Sequence, residues 1–152
     1  MAAGSVIVFS KNKDDIRLND LTGATIKLAL IKSTWTPDAT IAGNSLLADV
    51  SANEITAGNG YTAGGVALAS PTITGITGGH KFSTGNGVWT ASGGSIPVWR
   101  YGLIYVSGTL WGMVNPLLGY FLGDSTPADV PATTDTNTLT IAVPANGWFN
   151  VT

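Results

Sequence analysis

Glycine and proline interrupt this chain too often for any long helix. Its 152 residues include 20 glycines and 7 prolines, spread from end to end. Inside a helix a glycine costs about 1 kcal/mol relative to alanine, and a proline about 3 kcal/mol. The segments between them are rich in Thr, Val and Ile, whose branched side chains suit a pleated strand. Ala24 to Ile31 sets Ala24, Ile26, Leu28 and Leu30 on one face and Thr25 and Lys27 on the other. That alternation marks a half-buried strand. Thr138 to Val143 alternates in the same way, with Leu139, Ile141 and Val143 opposite Thr138 and Thr140. Further strands are expected over Ser5–Phe9, Tyr61–Ala69, Pro71–Ile76, Gly87–Ala91, Ile96–Val106, Leu117–Leu122 and Trp148–Val151. Helix is confined to short turns within Lys13–Leu21, stopped by Gly23, and within Ser45–Val50.

The expected fold is therefore all-β, an antiparallel β-sandwich or jelly-roll-like barrel of about eight or nine strands with little helix. Residues 1–152 form a single domain in this reading, with 1–23 able to act as an N-terminal arm. Asn-Gly occurs at 59–60, 86–87 and 146–147, and this dipeptide tolerates the positive φ angles of a type I′ turn. Asn146-Gly147 lies between two alternating segments and predicts a hairpin. The polar stretch Asp124 to Asn137 reads as a long surface loop.

Charge is scarce. Asp, Glu, Lys and Arg make up 11% of residues, against roughly 25% in an ordinary soluble domain. The mean hydropathy is +0.27, and the net charge is −2. There is no basic excess to neutralise phosphates, which disfavours a nucleic-acid partner. Cysteine is absent, so disulfides and thiolate chemistry are excluded. The uncharged stretch Tyr101 to Gly123 contains two G-x-x-x-G spacings, a pattern of packed membrane helices. Its other glycines and the Asn115-Pro116 turn signal argue against a helix, so no membrane span is expected. Val6 to Phe9 is too short an apolar run for a secretory signal, and a cytoplasmic translation product without an address of its own is expected.

Two strands are apolar on both faces. In Ile96–Val106, Trp99, Tyr101, Leu103 and Tyr105 share one side, and Leu117–Leu122 is apolar on both. Either these are central strands covered twice, or the second face meets another subunit. An antiparallel sandwich usually wets its outer face, which tips the reading toward an interface. Tyr and Trp suit such a surface because each combines a large ring with a polar tip. The candidate contacts are Trp99, Arg100, Tyr101, Tyr105, Trp111, Tyr120 and Phe121. Arg100 sits among apolar neighbours and is expected to snorkel at an edge, to pair with an acid such as Glu54, or to reach a partner chain.

No catalytic constellation stands out. His80 is the single histidine, and no G-x-S-x-G elbow accompanies it. The segment Gly78-Gly79-His80-Lys81 lacks the spacing of a phosphate-binding loop. Asp124, Asp129 and Asp135 share a loop but match no calcium-loop pattern. No enzyme activity, metal or cofactor is expected.

Several longer motifs carry a resemblance. Residues 48–55 (ADVSANEI) and 60–65 (GYTAGG) are followed by Val88-Trp89, by 99–105 (WRYGLIY) and by 116–123 (PLLGYFLG). The chain closes with 138–143 (TLTIAV) and 147–152 (GWFNVT). Together with the strand 25–31 (TIKLALI), this succession resembles a group of small structural proteins of tailed-phage virions. The segment Ser107 to Asn115, with Trp111 and Met113, departs from their pattern. The resemblance implies a β-rich, non-enzymatic capsid decoration or cement protein located on the virion. Its implied partners are copies of itself, as a trimer, and the major capsid protein. The alternative is a carbohydrate- or receptor-binding module of a tail or fibre.

Overall fold

The computed structural model describes Met1 and residues 3–152. The protein is all-β. The strands are β1 (Ile7–Val8), β2 (Thr25–Ile31), β3 (Val66–Ala67), β4 (Thr72–Ile76), β5 (Gly79–Ser83), β6 (Gly87–Thr90), β7 (Tyr101–Ser107), β8 (Thr109–Leu110), β9 (Met113–Val114), β10 (Leu117–Leu122), β11 (Thr138–Ile141) and β12 (Phe149–Val151). Among the described residues a single α-helical turn, α1 (Leu18–Leu21), and three short 3-10 turns (Ser10–Asn12, Leu47–Asp49, Ser51–Asn53) are the helical content.

The frame is a five-stranded antiparallel sheet in the order β1-β10-β7-β2-β3. Its spine is the β2–β7 pair, which runs in register from Thr25 opposite Ser107 to Ile31 opposite Tyr101. Two smaller sheets, β11-β6 and β12-β5-β4, contribute to one core with this frame. Strand alternation sends Ile26, Leu28 and Leu30 into that core with Ile104 and Val106, where they meet Trp89, Leu139, Ile141, Phe82 and Trp148. Each such side chain, fully buried, contributes about 1.5–3 kcal/mol.

The opposite face of the frame is covered as well. Ala29, Ile31, Leu103, Tyr105 and Leu117 pack there against Phe9, Trp35 and Val50. These covering residues come from the N-terminal segment and from the connection after β2. The two-sided strands are thus largely central strands covered by their own chain, which corrects the expectation that the second face is open to a partner.

Other expectations change in detail. Ile96–Val106 is not one strand. Residues 96 and 99 make isolated bridges to Thr133 and Val130, and the continuous strand begins at Tyr101. The break turns Trp99 into the same core as Ile104 instead of leaving it beside Tyr101. Asn146-Gly147 does not join a hairpin, because β11 pairs with β6 and β12 with β5, in separate sheets. The turn there is closed by Gly147 N–H donating to Pro144 O at 2.8 Å. Asn59-Gly60 does take the expected left-handed turn, with φ of 53° and 92°, and is flanked by the Gly58–Tyr61 bridge.

The segment 54–65 is fixed by a polar network. Glu54 Oε1 accepts from the Tyr61 hydroxyl at 2.5 Å and from Gly64 N–H at 2.7 Å. Tyr61 Oη in turn accepts from Leu30 N–H at 3.0 Å, and the Tyr105 hydroxyl donates to Gly64 O at 2.6 Å. Burial pushes the Tyr105 phenol from 10.0 up to about 12, with the Glu54 charge adding to it. Burial and the Glu54 hydrogen bond push Tyr61 up as well. A phenol whose folded-state value is raised holds its proton longer when folded than when unfolded. Its contribution to stability is full below pH 10.0 and is lost as pH rises through about 12. Stability measured by urea unfolding is therefore expected to fall across that alkaline window, and Tyr105→Phe is expected to flatten the decline.

Candidate functional site

The candidate surface lies on the outer face of the five-stranded sheet, where β1, β10 and β7 adjoin. Ile7 is paired with Tyr120 across β1 and β10, and directly opposed residues of an antiparallel pair share a face. Tyr120 and Tyr101 lie with ring centroids 6.2 Å apart, nearly edge to face. Trp35, from the segment that covers this face, meets Tyr101 at 5.3 Å and Tyr120 at 5.4 Å, both in edge geometry. Phe9 completes the cluster at 5.5 Å from Tyr120. Edge-to-face pairs of this kind add about 0.5–1.5 kcal/mol beyond area burial. Phe9 and Trp35 are buried, the two tyrosines are half-buried, and Ile7 is 48% exposed. The result is a packed aromatic cluster with Tyr101, Tyr120 and Ile7 at its exposed rim.

The rim is weakly polar. The Tyr120 phenol is pushed up by burial, with nearby Tyr101 adding to it, so it stays neutral and able to donate a hydrogen bond at neutral pH. At the other side of Tyr101 in sequence, Arg100 Nε donates to Asp129 Oδ1 at 2.8 Å, and Ser33 Oγ donates to Asp129 Oδ2 at 3.4 Å. This ion pair is 28% and 39% exposed on its two sides, where such pairs are worth at most about 1 kcal/mol. Arg100 therefore pairs with Asp129, and Glu54 serves the tyrosine network instead.

The sequence candidates separate into three groups. Tyr101 and Tyr120 form the rim, with Arg100 bordering it. Trp99, Tyr105 and Phe121 are buried inside the chain, at 1%, 2% and 1% exposure, and offer no surface to a partner. Glycines make room for two of these rings. A Cβ on Gly123 would stand 2.5 Å from the Trp99 indole, and one on Gly102 would collide with the Phe121 ring. Trp111 stands apart, at the tip of the β8–β9 hairpin. It holds a left-handed φ of 53°, and its Nε1–H donates to Asp20 Oδ2 at 2.9 Å. A bulky residue in that conformation is strained. Replacing Asp20 by alanine is expected to cost about 1 kcal/mol, the worth of one such hydrogen bond, in a thermal or denaturant unfolding measurement.

The remaining polar candidates are dispersed. Asp124 accepts from Thr126 N–H and its hydroxyl, Asp129 holds Arg100, and Asp135 accepts from Thr136 N–H. Among the described residues no group of three His, Asp or Glu side chains is placed to hold a metal ion. His80 is exposed on β5, opposite Val151 and Gly75. No helix among the described residues is long and apolar enough to cross a membrane.

Sequence reasoning missed Ile7, Phe9 and Trp35. Trp35 stands alone among Ser33, Thr34 and Thr36, a large ring in a polar stretch that must find cover elsewhere in the fold. No known protein family, curated protein or solved structure matches the chain.

Proposed function

We propose that the chain is a non-enzymatic structural protein of a tailed-phage virion. In this reading it is a decoration or cement subunit that associates with its own copies, as a trimer, and with the major capsid protein. The cluster of Ile7, Tyr120 and Tyr101 with Phe9 and Trp35 carries the proposal. It is an apolar surface with tyrosine hydroxyls at its rim, and aromatic anchors of this kind dominate protein contacts. The low charge of the chain supports the same reading, since a lattice subunit covers surface against its neighbours. The mechanism is mass action: a subunit that binds the assembled shell and not its dissociated parts stabilises the shell.

A cryo-EM map of the native particle is the test. Density for this chain over capsid subunit junctions is expected, and density confined to the tail or fibres would reject the cement role. The tyrosine rim also favours a second reading, a carbohydrate- or receptor-binding module, because ring faces stack on sugars. Reproducible hits on a glycan array that vanish in Tyr101→Ser would select that reading.

A further inference from the structure

We propose that Asn59 is a site of spontaneous succinimide formation, at which the folded chain converts asparagine to a mixture of aspartate and isoaspartate. The reaction needs a main-chain nitrogen that can reach the asparagine side chain, and a following glycine presents that nitrogen with no side chain in the way. The chain has three Asn-Gly dipeptides, at 59–60, 86–87 and 146–147. Among the described residues, the first alone has an attacking nitrogen that is both on an exposed residue and unbonded.

Asn59 and Gly60 are the two central residues of the turn from Gly58 to Tyr61, and both are exposed. The turn is closed outside the dipeptide. Gly58 N–H donates to Tyr61 O at 2.8 Å, and Tyr61 N–H donates to Gly58 O at 2.9 Å. The Gly60 N–H is left without an acceptor among the described residues, so solvent hydroxide can remove its proton. Asn59 is tethered at other atoms: its Nδ2 donates to Ser95 O at 3.0 Å, and its main-chain O accepts from Ser92 N–H at 3.2 Å. The other two dipeptides are closed off at the attacking nitrogen itself. Gly87 is buried in β6 opposite Ile141, and Asn86 Oδ1 accepts from Val143 N–H at 3.1 Å. Gly147 is buried, and its N–H donates to Pro144 O at 2.8 Å. Buried, bonded positions open at higher free energy than an exposed turn. The fold also retains the glycine that makes position 59 reactive. Gly60 has φ 92°, and a Cβ there would collide with Thr90 O, which is main chain of β6.

In the reaction Gly60 N loses its proton and attacks Cγ of Asn59. A new N–Cγ bond forms, the Cγ–Nδ2 bond breaks, and the side-chain nitrogen leaves as ammonia carrying a proton. Solvent water then adds to either ring carbonyl, and the ring opens to aspartate or isoaspartate. The reaction is hydrolytic, with no oxidant or reductant. The product carboxylate has no hydrogen to donate to Ser95 O, so the tether between this turn and residues 92–95 is lost.

Peptide mapping by mass spectrometry tests this on the full chain. The folded protein is held at mildly alkaline pH in water enriched in heavy oxygen, beside the same protein in denaturant. In the folded protein the label is expected to enter position 59 at least about tenfold faster than positions 86 and 146, reflecting their different local opening. Denaturant is expected to bring the three to comparable rates. Labelling of Asn86 or Asn146 as fast as Asn59 in the folded chain would overturn the proposal, as would a ranking that unfolding leaves unchanged. Asn59→Gly provides an independent readout, because glycine accepts the left-handed turn and has no amide to cyclise. The acidic species that accumulates on storage must disappear in this variant, and its persistence would also overturn the proposal.

Discussion

Phe121→Ala is expected to destabilise the chain by about 3–5 kcal/mol, the range for truncating a buried aromatic ring. That is a large share of the roughly 5–15 kcal/mol by which a domain is stable. The ring is 1% exposed, stacks on Trp148 with centroids 5.8 Å apart, and fills the space that Gly102 leaves above β7. Strand β10 is too constrained to collapse into the cavity. On its other side, Gly119 of β10 already lets the segment at β1 approach so closely that a Cβ there would lie 2.6 Å from Val6 Cγ1 and 3.0 Å from Ile7 O. Tyr120, the adjacent residue, points to the opposite face and is half-buried. Its truncation is expected to cost clearly less stability and to act on association instead. Urea unfolding of the two variants side by side checks both statements, and a larger loss for Tyr120→Ala would reverse the assignment of faces.

Gly65→Ala is the second large effect, expected at about 2–5 kcal/mol from left-handed backbone strain and overpacking together. Gly65 has φ 73°, and a Cβ there would collide with Leu28 O and stand 2.7 Å from Ala29 Cα. Both obstacles are main chain of the central strand, so neither can rotate away. The substitution would also disturb Gly64, whose N–H and C=O are bound by Glu54 and Tyr105. Gly23→Ala is the matched control, because nothing lies within 4 Å of its added Cβ and its φ is not left-handed. It is expected to be neutral or stabilising by about 0.4–1 kcal/mol through the unfolded chain. Equal losses at the two positions in a thermal unfolding comparison would refute the close-approach explanation.

Period-two alternation made β2 and β11 legible in the sequence, because each sets one face in the main core with threonines opposite it, although in β2 Ala29 and Ile31 continue that opposite face into a second apolar cluster. The short turn of α1 was legible for a similar reason, with Gly23 marking its end. Strand β5 was not, because Gly79, His80 and Lys81 carry little strand preference and are held by pairing on both sides, to β4 and to β12. The β8–β9 hairpin was hidden by Trp111, which occupies a left-handed turn position that usually takes Asn or Gly. The candidate surface was half visible. Tyr101 and Tyr120 lie on strands with a readable pattern, but Trp99, Tyr105 and Phe121 show the same sequence signature and are internal. What separates them is the break at residues 99–100 and the cover supplied by Trp35 and Phe9. Both are tertiary features, contributed by segments distant in the chain.

Sedimentation velocity over a wide concentration range tests the central claim most directly, comparing the wild-type chain with the double variant Tyr101→Ser/Tyr120→Ser. The wild-type chain is expected to assemble into a small oligomer, and the folded double variant to stay monomeric. A wild-type chain that sediments as a monomer at every concentration, or a double variant that assembles equally well, would contradict it.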